Sequence, residues 1–245
     1  MNEFLKKAPP RYLAVKQSLI DLIREREWKF GQAIPSEPLL ARRFGVSIGT
    51  IRHAISELVA ENLLAREQGR GTFVTSHTRD HMLDVFFHIV DDDGHKQLPE
   101  TEILDFRHAR MDARTATQLG ARTGSRAVRV QNLLHLGGKP VILDELWLPA
   151  DKFPGITEYM FAHRDGTLFG LYQQNFGHTV VRCSESLKAV VADARTCERL
   201  QLTGPAAVMH IVRTAYTHKD VPVETRVRMV DTRLLRYLNV VGKRG

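Results

Sequence analysis

The sequence predicts an α+β chain: a winged helix-turn-helix unit, then a larger domain built on an antiparallel sheet. Three observations predict it. Residues 35–74 read by period as helix, tight turn, helix and hairpin. From Met82 onward the runs become strand-like. A helix-plus-hairpin pattern that opens at Asp112-Ala113-Arg114-Thr115 recurs at Asp193-Ala194-Arg195-Thr196. The expected boundaries are 9–75 for the winged unit, 76–81 for a linker and 82–242 for the second domain.

The elements follow in order. Met1 to Pro10 reads as a loose arm in which Lys6 and Lys7 are solvated or touch phosphate. Pro9-Pro10 opens a helix carrying Tyr12, Val15, Leu19, Ile23 and, near its end, Trp28. Ser36 is placed to cap a short helix with Leu39, Leu40 and Phe44 on one side, where Pro38 is tolerated because the first turn has no intrahelical donor to lose. Gly45 ends it. Ser47 caps the next helix, whose stripe Ile51, Ile55, Leu58, Val59 turns Ile48, Gly49, Thr50, Arg52 and His53 the other way. Leu63 to Glu67 and Thr72 to Val74 pair as a hairpin across Gln68-Gly69-Arg70-Gly71, where glycine permits positive φ and Arg70 projects.

Helix, turn, helix and a Gly-Arg-Gly hairpin in that order point to double-stranded DNA. The second helix of such a unit sets its first residues at base edges, a helix N-terminus favours phosphate, and an arginine on the wing reaches a minor groove or the backbone. Charge agrees: residues 1–79 hold 13 Lys+Arg against 8 Asp+Glu, most of the chain's net +7. The candidate DNA contacts are Ser36, Ser47, Gly49, Thr50, Arg52, His53, Gln68, Gly69, Arg70 and Gly71.

At these residues the chain resembles the GntR family of bacterial transcription regulators. The matching positions are Pro35-Ser36-Glu37, Leu40-Ala41, Phe44-Gly45-Val46-Ser47, Thr50, Arg52, Leu58 and 68–74. Two positions depart: Pro38 and Ile48 stand where the family usually carries DNA-contacting arginines, so the operator should differ from the family's usual one.

Cys183 and Cys197 make neither a disulfide framework nor a metal set, and they read as buried small hydrophobes in a reducing cytosol. With no signal-peptide pattern and no long apolar run, the expectation is a cytoplasmic protein without a membrane partner. Within 75–81, His77 and His81 stand four apart, but the segment lacks a helical stripe on which they would chelate a metal. Met82 to Val90 and Thr101 to Met111 read as strands, with Asp91-Asp92-Asp93-Gly94 as a solvated turn rather than a calcium loop. The repeat follows: a helix to Leu119 and strands to Leu136 and from Lys139, then a helix to Leu200 and strands to Thr217 and from Val221. Thr167 to Phe176 reads as helix and His178 to Val191 as strand. Two such units predict one sheet with helices on one side.

This arrangement resembles the effector-binding domain of the HutC-type branch of the same family, a fold shared with chorismate lyase and known as UTRA. The resemblance implies ligand contacts at Asn132, Leu134, Asp144, Thr167 and Glu224, with His88 on a loop that closes over the ligand. Sugar-phosphate-sensing members carry arginines where Asn132 and Leu134 stand, so a phosphosugar is disfavoured. Arg182, Arg213, Arg226 and Arg228 lie on strands near the same cleft, where they either meet an organic acid or stand on solvated faces; Glu185 and Glu224 either orient them or face water. No nucleophile–base set or HExxH spacing is visible, so neither catalysis nor a metal or cofactor is expected. The whole reads as a ligand-responsive homodimeric regulator, a repressor by expectation. A lyase-like enzyme with a DNA-binding appendage and a ligand-independent DNA binder are the alternatives.

Overall fold

A computed structural model describes residues 10–233 and 235–240, so the arm containing Lys6 and Lys7 lies outside the described residues. The chain divides between Ser76 and His77 into two compact units.

The first unit is α1 (Arg11–Arg24), α2 (Glu37–Phe44), α3 (Ile48–Ala60) and the antiparallel pair β1 (Leu64–Glu67) and β2 (Gly71–Val74). Its core is Val15, Leu19, Ile23, Leu40, Ile51, Ile55 and Leu58, with Ala54 rather than Val59 completing the stripe of α3. Gly45 ends α2 at φ 63°, where a side chain would be strained. Trp28 is buried but lies past the end of α1: its burial comes from the loop folding back, not from a continued helix.

The second unit begins with α4 (Arg79–His81), continues into a π-helical turn (Met82–Phe86), and then forms the short strand β3 (Ile89–Val90). Two expectations fail here. The linker residue His77 is only 3% exposed, and Met82 to Val90 is mostly not strand. Its near-continuous apolar run has no period-2 alternation, and such a run cannot be told from buried helix by pattern alone.

The main sheet comprises β4 (Glu100–Arg110), β5 (Arg126–Leu136), β6 (Lys139–Pro149), β7 (Arg182–Val191), β8 (Ala207–Thr217) and β9 (Val221–Asp231), antiparallel in the order β4-β5-β6-β9-β8-β7. β10 (Arg236–Tyr237) pairs with β3. The helices are α5 (Ala113–Gln118), α6 (Glu158–Ala162), α7 (Leu168–Phe176) and α8 (Ala194–Arg199). The repeat is real: Asp112 caps α5 through Thr115 N, and Asp193 caps α8 through Thr196 N. The two hairpins β5-β6 and β8-β9 meet edge to edge at β6-β9. The strand after His178 starts later than expected, at Arg182.

Helices cover both faces of the sheet, not one. α5 packs on β9 of the other half and α8 on β6, around Ala127, Trp147, Leu133 and Val208. Val128, Val130, Leu146 and Leu148 point the opposite way, into a core with Phe86, Phe161, Phe169 and Tyr172. Both strand faces therefore carry apolar residues, the mark of a sheet covered on two sides. Among the described residues no helix is long and apolar enough to cross a membrane.

His77 sits among the rings of His81, Phe86 and Phe169. Burial, and then the neighbouring His81, push its pKa down to about 3. An unfolded histidine titrates near 6.5, so between about pH 6.5 and 3 the unfolded chain holds the extra proton and stability falls on acidification, by at most about 1.4 kcal/mol per pH unit. His77→Leu should flatten this part of the melting-temperature profile; an unchanged slope would place the acid sensitivity elsewhere.

Candidate functional site

The first candidate surface is the start of α3 with the wing. Ser47 caps α3: its Oγ accepts from Thr50 N at 3.1 Å and lies 2.8 Å from Thr50 Oγ1. Ser36 stands at the N-cap of α2 but makes no side-chain capping hydrogen bond, contrary to expectation. Arg52 is well exposed, and its Nε donates to Glu37 Oε2 at 2.9 Å; so exposed a pair is weak and easily exchanged for a base or phosphate. His53 is exposed, and its ring stacks on Tyr12 at 3.9 Å and 8°, a contact with α1 that the sequence did not foretell. Gly69 (φ 74°) and Gly71 (φ 122°) make the wing turn, and Arg70 projects between them beside Glu67, over the Phe73 ring at 5.4 Å. Gly49 and Gln68 are exposed. Sequence reading missed Arg66, exposed on β1 and hydrogen-bonded to Ser56 Oγ. It placed Ile48 on the outward face of the second helix and as a departure from the family pattern, but not among the DNA contacts. At 43% exposure, on the first turn of α3, Ile48 suits contact with a thymine methyl.

The second is a cavity of about 520 Å³ in the sheet domain. Asn132, Leu134, Asp144, Thr167, Arg213 and Arg226 line it, as do Arg228 and Arg164. Strand register assembles the floor, since Asn132, Asp144 and Arg228 are cross-strand partners on β5, β6 and β9. Asp144, 1% exposed, accepts from Arg228 Nε on Oδ1 at 3.1 Å and from Arg226 Nη1 on Oδ2 at 3.3 Å. Burial alone would raise its carboxyl, but Arg226 and then Arg228 outweigh burial and hold it below its ordinary value. Arg226 also grips Glu224 through Nε and Nη2, each at 2.6 Å, and its pKa is raised despite burial. Among the described residues Arg228 ion-pairs with Asp144 only: burial, then Arg213 and Arg226, outweigh Asp144 and the more distant Glu185 and push it down to about 10.

Three residues expected at the ligand are absent from the lining. Glu224 is fully buried behind Arg226 and takes the Tyr172 hydroxyl at 2.5 Å, so it supports the floor from beneath. Arg182 stands one residue out of phase with Cys183 and Glu185 and so points to the other face; it clamps Asp220 and lies 4.1 Å from the Tyr216 ring. His88 follows the lining residue Phe87 but turns to the Tyr237 ring, 5.3 Å away. The cysteines are only partly buried, and burial pushes Cys183 up to about 11, an inert thiol.

Thr167 joins the cavity to the entry of the domain. As N-cap of α7 it accepts from Gly170 N at 3.0 Å and donates to His77 O at 2.7 Å, while His77 N donates to Gln173 Oε1 at 3.3 Å. A Cβ on Gly170 would lie 3.2 Å from Thr167 Oγ1, which keeps that position small.

A winged helix with hydroxyls and arginines exposed at its reading end, in one chain with a sheet domain holding a charged cavity, defines a ligand-responsive transcription regulator. Residues 11–74 match the model of the gntR family of bacterial regulatory proteins, and residues 94–233 match the UTRA domain. The chain belongs to this family, in the branch that carries a UTRA domain. The "Probable fructoselysine utilization operon transcriptional repressor" of Shigella flexneri is 29% identical over 213 residues, 86% of either chain. The mannosyl-D-glycerate system repressor MngR of Escherichia coli is 26% identical over 93% of this chain and 89% of its own. Among solved structures, the ligand-binding domain of a GntR-family regulator from Bordetella bronchiseptica has a TM-score of 0.60 at 29% identity, covering 64% of this chain and 98% of its own.

Proposed function

We propose that this regulator is a cytoplasmic homodimer that represses transcription from a two-fold symmetric operator, and that an organic acid in the cavity changes its DNA affinity. The observation that carries the DNA reading is the exposed first turn of α3 beside the arginine-tipped wing. One winged unit reads few base pairs, so two copies on related half-sites supply specificity. Relatives named as repressors support the sign of regulation. Sensing fits the cavity better than turnover, because Asp144 is held ionised by two arginines and is unsuited to carry a proton near neutral pH.

Thr167 supplies a route for the signal. A ligand at the N-terminus of α7 competes for the hydroxyl that holds His77 O, and His77 immediately follows the winged unit. Only a ligand with different affinities for the two arrangements shifts their populations.

The test is titration of DNA from the regulated promoter with wild type and Arg52→Ala. We expect two chains per site and a loss of roughly 1–3 kcal/mol in the variant, concentrated at one base position. Equal weakening on every sequence would make Arg52 a phosphate contact, and one chain per site would remove the dimer from the proposal.

A further inference from the structure

One guanidinium of the cavity makes no ion pair among the described residues. Arg213, Arg226 and Arg228 are matched by Glu185, Glu224 and Asp144, and Arg164 adds a fourth guanidinium. Arg164 reaches only neutral oxygens: Nη1 donates to Phe161 O at 2.5 Å and Nη2 to Thr101 Oγ1 at 3.4 Å, while its buried Nε has no hydrogen-bond partner among the described residues. Glu100 and Glu158 stand at the rim in solvent. Half-burying a guanidinium that makes no ion pair is costly, so Arg164 favours a ligand that brings one negative charge.

Two further vacancies in hydrogen bonding lie beside Asp144. The Arg228 guanidinium donates only through Nε; its Nη groups have no partner among the described residues, and such a fork matches the two oxygens of a carboxylate. Asn132, 2% exposed, gives Nδ2 to Asp144 Oδ2 at 3.4 Å, and its Oδ1 is buried without a partner. Flipping the amide would set its oxygen against a carboxylate, so Oδ1 stays turned away from Asp144 and requires a donor. Asn132 and Arg228 flank Asp144 on neighbouring strands, with Cα atoms two strand spacings apart, roughly 9.5 Å. Phe87, Leu98, Ile103, Leu134, Phe161 and Phe169 make the remaining walls apolar.

We propose that the effector is a hydroxycarboxylate monoanion with an apolar body, its carboxylate in the Nη fork of Arg228 and its hydroxyl donating to Asn132 Oδ1. This deepens the organic-acid reading and rests on it. An ammonium in place of the hydroxyl would add a positive charge to a site that already holds four guanidinium groups, and a phosphate dianion would bring two negative charges where one guanidinium lacks an ion pair.

Calorimetric titration of the full chain with one scaffold tests each element: phenyllactate, phenylpropionate without the hydroxyl, phenylalaninol without the carboxylate, phenylalanine with an ammonium, and phenyl phosphate. Phenyllactate should bind, phenylpropionate at least about tenfold more weakly because Oδ1 stays unpaired, and the other three more weakly still. Asn132→Leu should bring phenyllactate down to the affinity of phenylpropionate. Arg228→Met should abolish binding of both; if that variant does not fold, the Asn132→Leu ratio decides. Equal wild-type affinity for phenyllactate and phenylpropionate would overturn the hydroxyl contact and leave the organic-acid reading standing. Tighter binding of phenylalanine or phenyl phosphate would overturn the charge argument. No heat from any of the carboxylates at about 10 mM would overturn both readings. Operator binding without ligand, measured on the same preparation, reports on the winged unit separately.

Discussion

Asp144→Ala should destabilise the sheet domain by about 3–5 kcal/mol, the usual cost of stripping the partner from buried charges. The variant leaves Arg228 with no ion-paired carboxylate among the described residues, only the more distant Glu185, and Arg226 with Glu224 alone, in a floor where Arg213 already adds repulsion. In a domain of this size that is a drop in melting midpoint of roughly ten degrees, read by differential scanning calorimetry. The pH dependence has a definite sign. The folded carboxyl lies below its ordinary value, so its contribution is complete above about pH 4 and is lost as pH falls through the folded value. A variant that melts with wild type would mean that the arginines find other counter-charges, and the charge argument for the effector would lose its base.

Ile55→Ala should remove DNA binding without touching the cavity. Ile55 is 1% exposed at the centre of α3, and such truncations cost about 2–5 kcal/mol. A core in a unit below about 70–80 residues rarely supplies more than 3–5 kcal/mol in total, so the winged unit should be largely unfolded at 25 °C. Because the chain divides at Ser76 and His77, the sheet domain should keep its melting transition and its ligand affinity. Operator titration beside calorimetry checks this. Wild-type DNA affinity in the variant would show that the core tolerates the cavity, and loss of both transitions would show that the units fold as one.

The winged unit was legible in the sequence because its signals are local. The stripe of α3, the Ser47 cap, Gly45 in the left-handed region and the Gly-Arg-Gly turn each act within a few residues. The repeat was legible for the same reason, as two Asp-Ala-Arg-Thr caps followed by paired strands. Asn132, Leu134, Asp144, Thr167, Arg213 and Arg226 reached the cavity as the family resemblance and strand placement implied.

What the sequence determined by itself, then, was the order and type of most elements, the reading end of α3 and the residues available to the sheet. Only the tertiary structure decided which arginines share the cavity, because one residue of strand phase sends Arg182 to one face and Arg213 to the other. It also decided that Glu224 lies beneath the floor, that Arg164 joins the site just past the end of α6, and that the exposed His53 ring stacks on Tyr12. These are contacts between residues distant in sequence. Their energies come from burial and charge in a shared environment, which no local pattern encodes.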